Sequence, residues 1–397
     1  MNTYLEKLYL AARADERHII GLMSGTSLDG LDIAYCKFTG HGLKTAVEVI
    51  IFETIPYPDH VKEKITKVFA QQEVDFAYLV LLNEWLGRYH GALVNQFIQK
   101  HQLDKASIDV IASHGQTVMH VPHHQHSYKD MLSGTLQIGD GDQIAVGTGM
   151  TTISDFRQKH IAFGGEGAPL AAYGDFLLYS HPNEHRILLN IGGIANFTLL
   201  PAGGDVSKVF VTDTGPGNKL MDGWAYYSQG MAFDQNGQLA AVGKVHTPLL
   251  SRLKRHYFFS LPFPKSTGPE VFNIDWVHAA LDDIPDPLSD ADIMTTLCAF
   301  TAESIADAIH NVVQQSDLHL YISGGGVHNP ILMKMLSALL HDITIDTIDT
   351  ISNIAADAKE AVLFALLANE TICGNHWNTT QNGTLLPTTL GKISFPA

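Results

Sequence analysis

The sequence predicts an α/β protein built by duplication. A strand, glycine turn, strand pattern at His18-IIGLMSGTSLDGLDIAYCKF returns in the middle of the chain as Arg186-ILLNIGGIANFTLL. Each copy is followed by further apolar strands and by long stretches of helical periodicity. Apolar residues make up 45% and charged residues 17% of 397, a balance that demands a large buried core and is long enough for two or three domains. The repeat is too long and too coarse for a solenoid.

The elements follow in order. Residues 1–17 form an N-terminal extension in which Tyr4, Leu8 and Ala11 or Ala12 recur at helical spacing, so a short amphipathic helix is expected. The apolar run 19–23 is a strand. It meets a Ser/Gly/Thr turn, and a second strand alternates through Leu31, Ile33 and Tyr35. Another strand is expected at 46–52. A helix is expected over 75–99, with Leu79, Leu82, Leu86, Tyr89 and Leu93 on one face. Asp109-VIASHGQT is a short buried strand ending in polar residues. In the second half Val209-FVTDTGPGN is a strand running into a Gly/Pro loop. Helices are expected at 293–313 and 357–370, with a strand at 318–323 that ends in Gly324, Gly325 and Gly326. The expected division is 18–150 for the first domain and 151–377 for the second, with 378–397 packing back on the first.

Charge and cysteine content narrow the function. The formal charge of −16 argues against nucleic acid or an anionic membrane as partner, because phosphate contacts need Lys and Arg. Cys36, Cys298 and Cys373 are odd in number, and their spacing fits neither a zinc site nor a disulfide framework. A reducing compartment suits them. The charged N-terminus is not a signal peptide, and no apolar run approaches the length of a membrane span. A cytoplasmic protein is expected. The His-rich loop His120-VPHHQH lacks the carboxylate or Cys that would complete a zinc set and reads as solvated surface.

Four loops carry the chemistry. In Gly21-LMSGTSLDG, the residues Gly25, Thr26, Ser27, Leu28, Asp29, Gly30, Leu31 and Asp32 can turn successive backbone N–H groups toward one anion. No Gly-Lys-Ser/Thr and no helix follows, so neither a P-loop nor a dinucleotide fingerprint fits. Asp29 could hold Mg²⁺ through water. Gly192 and Gly193 offer the same backbone chemistry in the second copy, and an ordinary hairpin turn is the competing reading for both. In Asp213-TGPGN, a carboxylate at a strand end is placed as a catalytic base, while Gly215 and Gly217 admit a ligand close to the backbone. The competing role for Asp213 is a turn or helix cap. The triplet Gly324–Gly325–Gly326 could let a flat ring lie on the backbone, with Asn329 and Pro330 starting the next helix. His114, Gln116, Asp155, Arg157 and Glu166 lie in polar clusters of the kind that reads a sugar. A buried Asp155–Arg157 pair is the structural alternative. Glu360 stands at the start of the last helix, where it either faces a site or complements the helix dipole.

Taken together, the segments GLMSGTSLDGLDIA, ASHGQTV, LQIGDGDQIA, ISDFR, AFGGEGAPL, LNIGGIANFT, DTGPGN, PKSTGPEVFN, SGGGVHNP and LGKISFP resemble the anhydro-N-acetylmuramic acid kinases, in family order from Ile19 to the C-terminus. Residues 1–17 and the His-rich loop depart from the pattern without touching a motif. The resemblance implies two RNase H-like α/β domains of the actin, hexokinase and heat-shock ATPase superfamily, with a nucleotide in the cleft. It implies ATP and Mg²⁺ as cofactors, a homodimer, and a reaction that opens 1,6-anhydro-N-acetylmuramic acid with water and phosphorylates O6. By motif position it implies Asp213 as base, the glycine hairpins as phosphate loops and the glycine triplet as adenosine loop. It also implies that His114, Gln116, Asp155, Arg157, Glu166 and Glu360 are sugar-side residues, Arg157 suiting the lactyl carboxylate because guanidinium grips carboxylates bidentately.

Overall fold

The computed structural model describes residues 2–268, 271–282, 284–313, 317–374 and 389–397. It divides into two units, Met1–Leu178 with Asn353–Ala397, and Tyr179–Ser352. The first boundary therefore lies at 178 rather than 150. Strand Thr152–Ser154 pairs inside the first sheet, which carries the chain past the expected division. The second boundary lies at 352 rather than 377, because helix Lys359–Cys373 packs on strands of the first sheet.

The first unit holds strands β1 (Glu16–Ser24), β2 (Gly30–Thr39), β3 (Ala46–Pro56), β4 (Val110–Val121), β5 (Gly134–Ile138) and β6 (Thr152–Ser154). The second holds β7 (His185–Ile191), β8 (Ile194–Leu200), β9 (Phe210–Pro216), β10 (Leu318–Ser323) and β11 (Thr344–Thr347); β12 (Lys392–Ser394) returns to the first. The sheet orders are β12-β6-β4-β1-β2-β3 and β11-β10-β7-β8-β9, with β5 added to β4. In each unit three antiparallel strands come first, and then two strands run parallel to the first of them. This shared order is that of an RNase H-like sheet, so the duplication expected from the two glycine hairpins holds at the level of topology. The expected hairpin at the first glycine turn is present, with β2 rather than a helix after it.

Each sheet has its own core. The middle of central strand β1 is covered on both faces and is apolar there, through Ile19, Ile20, Leu22 and Met23. Helix Phe76–Lys100 starts on the Asp75 cap and lays Leu82, Leu86, Leu93 and Phe97 into the first core. Helix Asp290–Val312, capped by Ser289, does the same for the second through Met294, Leu297, Phe300 and Ile305. The expected N-terminal helix spans Thr3–Arg13 and is capped by Asn2. Arg17 binds the end of this segment to the last helix: Nε donates to Asn369 at 2.6 Å and Nη1 to the Ala14 carbonyl at 2.6 Å. The His-rich loop contains a 3-10 turn, His123–Gln125, in which His123 and Gln125 are exposed. The three cysteines are free thiols.

Helix Lys359–Cys373 lies so close to β1 that a Cβ on Gly21 would sit 1.9 Å from the Ala361 carbonyl oxygen. Backbone cannot yield there as a flexible side chain would. Gly21→Ala is therefore expected to cost about 3 kcal/mol of unfolding free energy. Gly134→Ala, where a Cβ meets nothing within 4 Å, should stay within about 0.5 kcal/mol of the native protein. Denaturant titration of the two variants decides the matter.

Candidate active site

In the first unit the turn between β1 and β2 is held from beneath. Ser24 Oγ donates to Gln116 Oε1 at 2.5 Å, and Gln116 Nε2 donates to the Gly25 carbonyl at 3.2 Å. Tyr57 OH donates to Ser24 Oγ at 2.9 Å and meets His90 Nε2 at 2.7 Å. His90 is completely buried, which pushes its pKa down to about 3 and keeps the ring neutral. At the turn itself Leu28 takes φ 56° and Ser27 Oγ donates to Asp29 Oδ1 at 2.7 Å. That hydroxyl, set against weak burial, leaves the Asp29 pKa lowered. Thr26 and Ser27 are exposed, and their backbone N–H groups find no acceptor among the described residues. An exposed turn with free N–H groups is what an anion nest requires.

Around this turn the first unit gathers charge. Burial raises the pKa of Asp32, against a 2.5 Å hydrogen bond from Thr54, and Asp29 and Asp357 push it the same way. Glu360 occupies the first turn of helix Lys359–Cys373; burial raises its pKa, Asp32 adds to that, and Arg157 opposes it. Glu360 thus stands at the helix terminus and within electrostatic reach of Asp32 and Arg157. Arg157 Nε donates to His114 Nε2 at 2.9 Å and Nη1 to the Gly167 carbonyl at 2.8 Å. An imidazole that accepts from a guanidinium is neutral, in keeping with a His114 pKa pushed down to about 3 by burial and then by Arg157.

These contacts revise several expectations. Gln116 is fully buried with its amide spent inside the fold, so it supports the turn and does not reach out to a sugar. Arg157 has Nε and Nη1 engaged, which closes a side-on bidentate grip on a carboxylate. Asp155 pairs with Lys392 of β12 at 2.5 Å and not with Arg157; it fastens the returning C-terminal strand. Glu166 lies in the loop near His160, whose pKa feels its charge. Sequence reasoning missed Tyr57 and His90. Tyr57 sits 33 residues from Ser24 in the chain and His90 a further 33 beyond it, and they belong to no local motif.

In the second unit three glycine loops meet at the end of β7. Gly217 N donates to the Gly193 carbonyl at 2.9 Å and Asn218 N to the Gly192 carbonyl at 2.7 Å. A Cβ on Gly217 would lie 2.2 Å from the Gly192 oxygen, and one on Gly324 2.6 Å from the Ile191 oxygen. Gly325 is the exposed member of its triplet. Asn329 caps the following helix through Ile331 N and Leu332 N, with Pro330 at its first position. Gly193 and Gly326 lie on the same loops, and Gly215 lies in β9 just before Gly217.

Asp213 stands in β9 and caps nothing. Its Oδ2 accepts from Thr267 N at 2.7 Å and from Ser266 Oγ at 3.3 Å, while Oδ1 has no partner among the described residues. Burial raises its pKa, and those two donors restrain the rise. Lys265, Ser266 and Thr267 belong to the segment PKSTGPEVFN, which the sequence marked as a motif without assigning it a role. Among the described residues no group of three His, Cys, Asp or Glu side chains could hold a metal ion directly.

One such sheet in each unit, with glycine turns at the strand ends, places the chain in the class of duplicated RNase H-like α/β proteins. It belongs to the anhydro-N-acetylmuramic acid kinase family, whose profile matches residues 17–396. A relative named anhydro-N-acetylmuramic acid kinase from Pseudoalteromonas translucida is 50% identical over 400 residues, covering 100% of both chains. One of the same name from Caldanaerobacter subterraneus subsp. tengcongensis is 38% identical, covering 98% of this chain and 100% of its own. The first relative's full coverage includes residues 1–17, so that segment is not peculiar to this chain. Among solved structures, the activator of the 2-hydroxyisocaproyl-CoA dehydratase from Clostridium difficile with bound ADPNP is 12% identical, covering 89% of this chain and 95% of its own at a TM-score of 0.41. No helix among the described residues is long and apolar enough to cross a membrane.

The buried His90 makes a linkage prediction. The unfolded chain binds a proton at His90 below about pH 6.5, whereas the folded chain does so only near pH 3. Its contribution to stability is complete above the unfolded pKa and is lost as pH falls. Between pH 7 and pH 5 this amounts to about 2 kcal/mol. The stability gap between the native protein and His90→Gln should narrow by that amount, as measured by urea unfolding at the two pH values.

Proposed function

We propose that this chain uses ATP to convert 1,6-anhydro-N-acetylmuramic acid and water into N-acetylmuramic acid 6-phosphate, in cell-wall recycling. The observation that carries the reading is Asp213: a half-buried carboxylate of raised pKa, held by one oxygen and without a partner at the other among the described residues, on the strand that runs into Gly217. A base works best when its pKa approaches the working pH. Water attacks the anomeric carbon and gives its proton to Asp213 Oδ1. The C1–O6 bond breaks, O6 takes the γ-phosphoryl group, and ADP leaves. Phosphoryl transfer asks mainly for positioning and charge neutralisation. The N–H groups of Thr26 and Ser27 suit the phosphates, and the Gly324–Gly326 turn suits the adenosine.

Mg²⁺ fits the oxygen-rich character of Asp29 and Asp32. Without a three-ligand set it would be held by nucleotide phosphates and by these carboxylates through water, where it would supply charge neutralisation. Glu360 and Arg157 remain the sugar-side residues best supported by their setting, with His114 holding Arg157 in place. The reading includes a cytoplasmic location, a homodimer and no nucleic-acid partner, in keeping with a charge of −16.

Asp213→Asn should lower sugar-dependent ATP turnover by about 10²-fold to 10⁴-fold, with nucleotide affinity nearly unchanged. Near-normal product formation would remove Asp213 as the base. With the native enzyme in ¹⁸O-water, label must enter the anomeric oxygen of the product. Phosphorylation of free N-acetylmuramic acid in preference to the anhydro sugar, with no label incorporated, would instead indicate a kinase that opens no ring.

A further inference from the structure

Segment Lys265–Ser266–Thr267 is stitched to β9 at the residue before the base and at the base itself. Asp213 N donates to the Lys265 carbonyl at 2.9 Å. Lys265 N donates to Thr212 Oγ1 at 3.1 Å, and that hydroxyl lies 3.2 Å from the Lys265 carbonyl. Two residues on, the chain turns its Thr267 N–H back onto the Asp213 carboxylate, and Ser266 Oγ reaches the same oxygen. Both donors fall on Oδ2. A carboxylate accepts about four hydrogen bonds, so donors gathered on one oxygen orient the group and leave the lone pairs of the other for a proton.

Lys265 supplies the anchor. Its ammonium does not meet the carboxylate. It lies 4.5 Å from the ring centroid of Phe258, 5.6 Å from that of Phe259 and 4.3 Å from that of Phe263, and it donates to the Phe258 carbonyl at 3.2 Å. Cation–π contacts with three rings hold a partly desolvated ammonium in one place. A cation directed at Asp213 would favour the carboxylate form and weaken it as a base. Directed at the rings, it fixes the backbone and leaves the basicity alone. Among the described residues no other charged group acts on Asp213.

We infer that Lys265, Ser266 and Thr267 are positioning residues that present Asp213 Oδ1 to the attacking water, with Lys265 locked in an aromatic cage as their anchor. The inference rests on Asp213 being the base. It accounts for a Lys-Ser-Thr run beside a carboxylate by geometry alone, without assigning any of the three to a ligand.

The test is the pH dependence of steady-state kinetics with ATP and 1,6-anhydro-N-acetylmuramic acid. Ser266→Ala removes a donor that favours the charged carboxylate, so the acid limb of the kcat profile should move to higher pH. Ser266→Thr, which keeps the hydroxyl, should restore it. Lys265→Met keeps the stem but loses the cage contacts; kcat should fall about tenfold or more with KM for ATP changed less than twofold, since small misplacements of a reacting group are costly. Lys265→Arg, which retains a cation for the rings, should recover most of the loss. Ser266 is exposed, so its variants should fold, and thermal melting with nucleotide binding checks the Lys265 variants. Asp213→Asn is assayed alongside. If it retains turnover, the base assignment and this inference fall together. If it is inactive while Ser266→Ala keeps the native profile and Lys265→Met keeps the native kcat, the positioning role alone is overturned.

Discussion

Backbone meets backbone where β1 passes under helix Lys359–Cys373, and the first unit's site depends on that contact. Gly21 is the residue that permits it. The helix begins one residue before Glu360, so seating it on β1 sets that carboxylate within electrostatic reach of Asp32 and Arg157. The same strand ends at Ser24, where the chain of hydroxyl and amide contacts to Tyr57, His90 and Gln116 begins. A side chain at residue 21 would lift the helix and separate the carboxylate from the turn.

The second unit solves a similar packing problem with three loops instead of one helix. Gly217 and Gly324 bring backbone within contact distance of the Gly192 and Ile191 carbonyls around the end of β7, and side chains at these two positions would hold the loops apart. The surface that results is made of peptide groups, with Asp213 close by in sequence. An acidic protein can in this way receive an anion: fixed N–H dipoles supply the positive potential without a basic patch.

Electrostatics divides the groups with shifted pKa values into two kinds. His90 and His114 are kept neutral by burial and act through hydrogen-bond geometry. Asp32, Asp213 and Glu360 have pKa values raised by burial, so each stays closer to the range in which a proton can be exchanged. In the first unit Arg157 is a cation within electrostatic reach of Glu360. Its engagement by His114 and the Gly167 carbonyl gives it one orientation.

The α/β class, the duplication and the glycine loops were legible in the sequence because each is a local pattern: alternation, helical periodicity, and Gly at a turn. Asp213 stood out in the sequence as a carboxylate before a Gly/Pro run, but the strand expected to end there continues to Pro216, because β8 goes on pairing with it. Domain boundaries were not legible, because a strand of three residues such as Thr152–Ser154 joins a sheet through hydrogen bonds to a distant strand and leaves little pattern of its own. The roles of Gln116, Asp155 and Arg157 were misassigned in part because polar residues look alike until their partners are known. One turned inward to the Gly25 carbonyl, one outward to Lys392, one sideways to His114. The sequence by itself determined the longer strands and helices, which loops lack side chains and which family the chain belongs to. Only the tertiary structure decided which polar groups are already satisfied and which remain for a ligand, because a hydrogen bond between residues far apart in the chain exists only once the fold has brought them within about 3 Å.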